Sequence, residues 1–544
     1  MAWVRRVRTA SGATAVQIAE SVAGRRRIVR HVGSARDEVE LGLLMAKARR
    51  LVADEAQGEL DLGLSLPTSK VALVPAPAAT LFGAPGSSSS RRAVVAGPRV
   101  LRTSSALLYH ALVGVYDDLG FNALGDEVFR DLVIARVVEP TSLLDVDRVL
   151  ADLGRASASL STRKRTLRRC QDGRYRDQLA RLCFEHARAA GDVSLCLYDV
   201  TTLHFEAESE DDLRKVGYSK ERRVDPQIIV GLLVDRRGFP LEIGCWEGNK
   251  AEKHTITGII EAFTARHGIA DLVVVADAGM LSAANLTALD EAGHRFIVGS
   301  KTTKAPIDLA SHFRWHGDAF TDGQLIDTVT PKIGKNTDND SAKRAEPCWD
   351  PATHPGSWRA VWAYSAKRFA RDNKTLTAQE NRARAVIAGE KAARTPRFVK
   401  TAGDAHVLDQ AALARARRLA GLRGYVANIP AQVMPPAEVI SSYRDLWHVE
   451  ASFRMSKSDL RARPLFARSR DSIEAHLTIV FTALAISRTA QDRTGFALRR
   501  LLRQLRPLRS ATIQINGAIQ TLPPALSPDQ QAILNALNQP NPRH

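Results

Sequence analysis

The sequence predicts an α/β protein in which a mixed sheet with helical cover is flanked on both sides by helical regions. Three observations predict it. Between Asp192 and Lys301 the texture is short β runs with two helices interleaved. From Ser104 to about Ala190, and again from Pro435 onward, the apolar spacing is helical. Between these blocks, residues 302–425 interrupt the order with charged, Pro- and Asp-rich sequence. A chain of 544 residues is too long for one compact core, so two or more domains are expected.

Residues 1–95 read as a small β unit, a helix and a linker. AWVRRVR and TAVQIAESV alternate apolar with polar across a Ser11-Gly12 turn, and RRRIVRHVG supplies a third, basic strand. A helix is expected from about Asp37 to Ala53, and GAPGSSSSRR, ending near residue 92, has linker composition. Residues 96–190 form a helical region cut by Gly120, Pro140 and Gly154. Within it STRKRTLRRC carries Arg163, Lys164, Arg165, Arg168 and Arg169. These cations suit either a solvated helix face or a nucleic-acid contact, the latter centred on Arg163, Lys164 and Arg165.

Residues 191–301 supply the strands VSLCLYDVTTLHF, IIVGLLVD, LEIGCW, LVVVADAG and FIVGS. One interleaved helix has Ile256, Ile259, Ile260 and Phe263 on one face and ends at Gly268. The other starts at Ser282, a good N-cap, and ends at Gly293. The order is three strands, helix, strand, helix, strand. Residues 302–430 form an insertion with one clear strand, SWRAVWAYS, and one helix around Ala378 to Lys391. Residues 431–490 return to helix, and 491–544 end in a basic helical region containing ALRRLLRQLRPLR.

Charge narrows the choice of partner. Lys and Arg total 77 against 59 Asp and Glu, a net +18. Each phosphate neutralised by such a surface releases counterions, so an acidic polymer is favoured. An Arg-rich genome gives the same surplus, and charge sets no reaction. The five cysteines include no C-x-x-C pair and are odd in number, which suggests neither a disulfide framework nor a zinc ribbon and fits a reducing cytoplasm. Cys196 and Cys245, inside apolar runs, are expected as buried thiols. MAWVRRVRTASG has no apolar signal core. The longest apolar stretch, His476 to Ile486, is too short to span a bilayer and reads as a buried helix.

Three carboxylates carry the chemistry. Asp199 follows the buried run VSLCLY and Asp277 follows LVVVA. Ionised carboxylates are seldom held beside a core unless paired or metal-bound; a helix cap or a loop salt bridge is the plainer alternative. The third is Glu450, in a segment, SSYRDLWHVEASFRMSKSDL, that reads as one helix. On it Tyr443, Trp447, Glu450, Arg454 and Lys457 share an arc of roughly 80°. Two aromatics, a carboxylate and two cations make a poor core face and suit a surface that meets phosphates and a metal. An ion pair of Glu450 with Arg454 gives the same pattern. Three hard oxygen donors suit Mg²⁺, and two such ions about 3.5–4 Å apart serve phosphodiester chemistry without a general-base histidine. The reading requires all three acidic side chains to meet.

YDVTTLHFE, GYSKERRVDPQIIVGLLVDRRGFPLEIGCWEGNKAEKHT, VVADAGMLS and YRDLWHVEASFRMSKSDLRARP together resemble one family. This is the DDE transposases of bacterial insertion sequences, in the group with a Tyr-Arg-Glu-Lys signature. The stretches lie between Asp199 and Pro464 and span about half the chain. The resemblance implies an RNase H-like core with Asp199 on its first strand and Asp277 after its fourth. It places Glu450 on a helix that follows a long, largely β insertion. It makes Asp199, Asp277 and Glu450 both catalytic and metal-binding, for two Mg²⁺ ions that Mn²⁺ can replace. Tyr443 and Lys457 stand at the signature spacing and become DNA contacts together with Arg454. The usual Arg position holds Leu446, and neither Arg444 nor Arg454 occupies that site. The implied reaction is cut-and-paste: a dimer binds terminal inverted repeats, nicks, passes through a hairpin end, and joins a 3′-hydroxyl to target DNA. The implied place is the cytoplasm, on the nucleoid, with no membrane contact. A metal-dependent nuclease without strand transfer and a non-catalytic DNA-binding protein are the rival readings.

Overall fold

The computed structural model describes residues 2–35 apart from 9–13 and 23–24, positions 44, 45 and 48, and residues 99–538. Within the last span 192, 207–208, 218–224, 280–281, 335–337, 391–396, 403–404, 464, 466, 468 and 516–517 are excepted. The chain forms two compact units, Met1–Arg92 and Ala93–His544. The expected GAPGSSSSRR linker and Ser11-Gly12 turn lie outside the described residues, as does most of the helix expected over 37–53.

In the first unit β1 (Ala2–Arg8), β2 (Thr14–Val22) and β3 (Arg25–Ala35) pair antiparallel in sequence order. Alternation along β2 buries Val16 and Ile18, and Val4, Val32, Leu44, Met45 and Ala48 pack around them. Arg27, Ile28, Val29, Arg30 and His31 of β3 are exposed.

The second unit opens with β4 (Arg99–Ser104) and a helical block. The block comprises α1 (Ala106–Asp118), α2 (Glu127–Val138), α3 (Val146–Asp152), α4 (Leu160–Asp172) and α5 (Tyr175–Ala190). Gly120, Pro140 and Gly154 fall between helices, as the sequence predicts. Then follow β5 (Leu195–His204), β6 (Gln227–Asp235), β7 (Pro240–Glu247), α6 (Ile256–His267), β8 (Val273–Ala276), α7 (Ala283–Glu291) and β9 (Arg295–Ser300). This is the expected order. Gly268 closes α6 with φ 63°, the left-handed conformation that a glycine adopts without a Cβ clash.

Residues 302–430 contain α8 (Ala305–Asp308), α9 (Ala310–Trp315), β10 (Leu325–Pro331), β11 (Ser357–Tyr364) and α10 (Ala366–Ile387). The hairpin β12 (Val399–Ala402) and β13 (Ala405–Leu408), then α11 (Gln410–Arg418) and β14 (Leu422–Ala427), complete the segment. Its longest element is therefore a helix. That helix starts well before Ala378, because Ser365 caps it by accepting from the Arg368 N–H.

The chain continues through α12 (Pro436–Arg444), α13 (Trp447–Ser458), α14 (Arg470–Thr494) and α15 (Leu498–Leu505). It ends with β15 (Ser510–Ile515), β16 (Ala518–Leu522) and α16 (Pro528–Asn538). The continuous helix expected around Glu450 is thus two, broken at Asp445 and Leu446. Leu446 turns into the core while Asp445 is held by Arg236 at 2.8 Å.

The large sheet runs β10-β11-β14-β9-β8-β5-β6-β7. Only the β5–β8 and β8–β9 pairs are parallel. β6 is buried at every position and β8 likewise, the continuous apolar pattern of strands covered on both faces. The insertion adds three strands to the β9 edge of the sheet. α13 lies on β5 and β6, and α12 on β8, β9 and β14, whereas α5 and α6 cover β7. One hydrophobic core runs from Leu108 through the sheet to Leu537, with α14 buried along most of its length. The His476–Ile486 stretch is the middle of that helix. No described helix is long and apolar enough to cross a membrane. Cys196 is buried as expected; Cys245 is only partly so.

Candidate active site

Parallel pairing of β5 with β8 ends at Tyr198 and Ala276. The next residue along each is an aspartate, Asp199 still within β5 and Asp277 just past the end of β8, so the two stand side by side; neighbouring strands are spaced about 4.8 Å apart. Period-2 alternation sends Tyr198 to one face, where its hydroxyl donates to Thr255 at 2.8 Å. Asp199 goes to the other face with Thr201 and Leu203, the face that α13 covers. Asp199 accepts from its neighbour's N–H, Val200, and Asp277 from Ala278, each at 2.8 Å. Asp199 is half-buried and Asp277 exposed.

Tyr443, from the last turn of α12, donates its hydroxyl to Asp277 Oδ1 at 2.7 Å. Its ring is buried edge-to-face on Tyr425 at 5.0 Å. Burial first, then the Asp277 hydrogen bond, raises the phenol's pKa, so it stays protonated and donates. The ring fits because residue 299 has no side chain: a Cβ on Gly299 would lie 2.6 Å from the Tyr443 hydroxyl. Arg423 of β14 places its guanidinium carbon 5.0 Å from the Tyr443 ring centre.

Glu450 is exposed on the flank of α13. Val449, Ser452, Phe453 and Ser456 form the buried stripe of this helix. Ser452 Oγ donates to Gly238 O at 2.9 Å, beside the β6–β7 turn. Lys457 lines a narrow cleft with Thr201 and Leu203 of β5 and Val230 and Leu232 of β6. Glu450 lies two helical turns before Lys457 on the same flank. Among the described residues no salt bridge joins its carboxylate to Arg454.

The structure therefore brings together Asp199, Asp277 and Tyr443, and sets Glu450 on the helix that packs on β5 and β6. It does not close the three carboxylates: among the described residues no three His, Cys, Asp or Glu side chains stand close enough to hold one metal ion. In kind, the donors fit Mg²⁺, being carboxylate oxygens alone.

Of the cationic candidates, Lys164, Arg165 and Arg454 are exposed and Lys457 half-buried. Arg163 is a correction. It is 2% exposed, donates to Leu143 O at 2.7 Å and pairs with Asp147 at 2.9 Å. The helical period turns 163, 166 and 170 inward together, so this arginine pins α4 to the preceding segment instead of facing solvent. Gly299 and Arg423 escape the sequence reading. A glycine inside the run FIVGS is a known signal of close approach, whereas one arginine in a charged insertion carries none.

Two adjacent aspartates where the parallel pairing of β5 with β8 stops, on a sheet packed by a helix bearing a glutamate, define an α/β protein with an acidic site on its central sheet. The family model described as "Transposase DDE domain" matches residues 192–486, more than half of the chain, and the chain belongs to that family. No curated protein matches. Among solved structures, the chain is similar to the cryo-EM structure of a piggyBac transposase synaptic complex with hairpin DNA. The identity is 9% and the TM-score 0.36, over 75% of this chain and 81% of that one.

Proposed function

We propose that this DDE-family enzyme cleaves DNA at the ends of an insertion sequence and joins the freed 3′-hydroxyl to target DNA. The observation that carries the proposal is the side-by-side placement of Asp199 and Asp277, inside a family match that extends through Glu450. The order β7-β6-β5-β8-β9, parallel only among β5, β8 and β9, supports an RNase H-like core.

Asp199, Asp277 and Glu450 would hold Mg²⁺, with Mn²⁺ able to replace it. A bound pair of such ions activates the attacking oxygen and stabilises the leaving one. The chain's own part is positional. Tyr443 fixes one oxygen of Asp277, α13 carries Glu450 on the face Asp199 shares, and Lys164, Arg165, Arg454 and Lys457 supply cations for DNA phosphates. Residues 1–190 recognise the element's terminal repeats, and the DNA-bound form is a homodimer acting in the cytoplasm.

The test is a Mg²⁺-dependent assay on DNA carrying the sequence that flanks the gene. The proposal expects cleavage and joining by the native chain. Asp199→Ala, Asp277→Ala and Glu450→Ala should each abolish cleavage and leave DNA affinity within a few-fold, because phosphate contacts elsewhere supply it. A nuclease would cut without joining, and a binding protein would do neither. Wild-type cleavage by Asp277→Ala overturns the site.

A further inference from the structure

Three arginines gather where α10 meets β14. Ser365, the cap of α10, donates its N–H to Gly421 O at 3.0 Å, and Gly421 N–H donates back to Asp372 at 3.2 Å. Gly421 has φ +84°, and a Cβ there would lie 2.6 Å from Tyr364 and 2.9 Å from Phe369. The two elements are pinned by this glycine at closest approach. The pinning gathers Arg368 and Arg371 of α10 with Arg423 of β14. Arg368 is half-buried, and burial, then Arg423 and Arg371, push its pKa down.

Like charges repel, and a single carboxylate, Asp372, stands against the three of them. Neither Arg368 nor Arg423 has an ion pair among the described residues. Arg371 reaches only its own neighbour Asp372, at 3.7 Å and mostly exposed, a pair of small worth. One residue beyond the last β14–β9 pair, Gly424 with Ser300, Lys301 adds a fourth cation beside Arg423. A single tyrosine ring separates this cluster from the carboxylates: Arg423 lies over Tyr443, and Tyr443 donates to Asp277. Planar guanidinium forks match phosphate oxygens bidentately.

We infer that Arg368, Arg371 and Arg423 form an anion site that holds a DNA backbone phosphate beside Asp277. The inference rests on the nucleic-acid reading above and adds which side of the carboxylates the strand runs along. It assigns to the insertion a direct part in gripping DNA.

The experiment measures binding of the full-length protein to a short duplex of arbitrary sequence across a salt series. Each lost phosphate contact lowers the slope of log affinity against log salt by about 1. Arg423→Ala and the surface variant Arg371→Ala should each lose that much, and Arg423→Lys should restore most of it. Arg382→Ala, exposed further along α10, should leave the slope unchanged. Folded Arg371→Ala and Arg423→Ala proteins with the native slope overturn the inference. Asp199→Ala separates the two claims: cleavage by it sinks the catalytic reading, while the arginine slopes still decide the anion site.

Discussion

Tyr443, Asp277 and Gly299 form a unit in which each residue explains another. The hydroxyl reaches Asp277 Oδ1 only because residue 299 leaves room for it. A methyl 2.6 Å from an oxygen is well inside contact distance, so Gly299→Ala must displace the phenol. The expected outcome is a folded protein whose Mg²⁺-dependent cleavage falls about ten-fold, the scale of one lost orienting bond of about 1.4 kcal/mol. Tyr443→Phe, which keeps the ring and drops the donor, should match it, with thermal unfolding changed by about 1 kcal/mol. Native cleavage by both would show that Tyr443 does not orient the aspartate. At this scale the positions of Asp199 and Asp277 beside the sheet are legible, since each follows a buried apolar run. Gly299 is not, because its role depends on a tyrosine distant in sequence. Arg163 misled because five neighbouring cations do not say which faces inward.

Among the elements, the strands from 195 to 300 were legible because apolar runs between turn residues leave little alternative. The break between α12 and α13 was not. It comes from tertiary partners, Leu446 in the core and Asp445 on Arg236, that a helical period does not display. The insertion hides its strands for a similar reason. β10 reads as polar LIDTVTP, yet Asp327 is neutralised by Arg359, which is fully buried and also donates to Ile429 O and Met434 O. That arginine ties the edge strands to the segment leading into α12. Nearby, Asp308 accepts from Trp362 Nε1 at 3.1 Å, and burial raises its carboxyl from 3.8 to about 7. The sign follows from linkage. The folded state keeps a proton that the unfolded chain releases, so this group's contribution is fully present below about 4 and is lost as pH rises to about 7. It amounts to about 4 kcal/mol at most. Urea midpoints should therefore fall across that window, and Asp308→Asn should flatten the dependence. An unchanged pH slope in Asp308→Asn would mean the carboxyl titrates near its ordinary value.

At the scale of the whole second unit, the chain closes on itself in a way the sequence does not display. β4, the first strand of the second unit, pairs with β15 near its end, from Ser104 opposite Ser510 to Arg99 opposite Gln514. Around that strand, Ser105 Oγ donates to Arg506 O at 2.6 Å, Arg509 donates to Thr103 O at 3.0 Å, and Asp152 is shared by Arg506 and Arg509. Nothing local in RVLRTS announces a partner some four hundred residues later, and the basic C-terminal region reads as helix alone. The closure makes the position of a truncation decisive. A fragment beginning at residue 93 keeps β4 and the whole Leu108–Leu537 core, and is expected to fold and unfold cooperatively. A fragment beginning at residue 106 strips the strand from β15, leaves Arg506 and Arg509 with fewer partners, and should melt several degrees lower, each kcal/mol being worth about 2–4 °C or less at this size. Thermal unfolding of the two fragments side by side decides the matter. Equal midpoints would show that the strand joining the two ends of this unit contributes nothing to holding it shut.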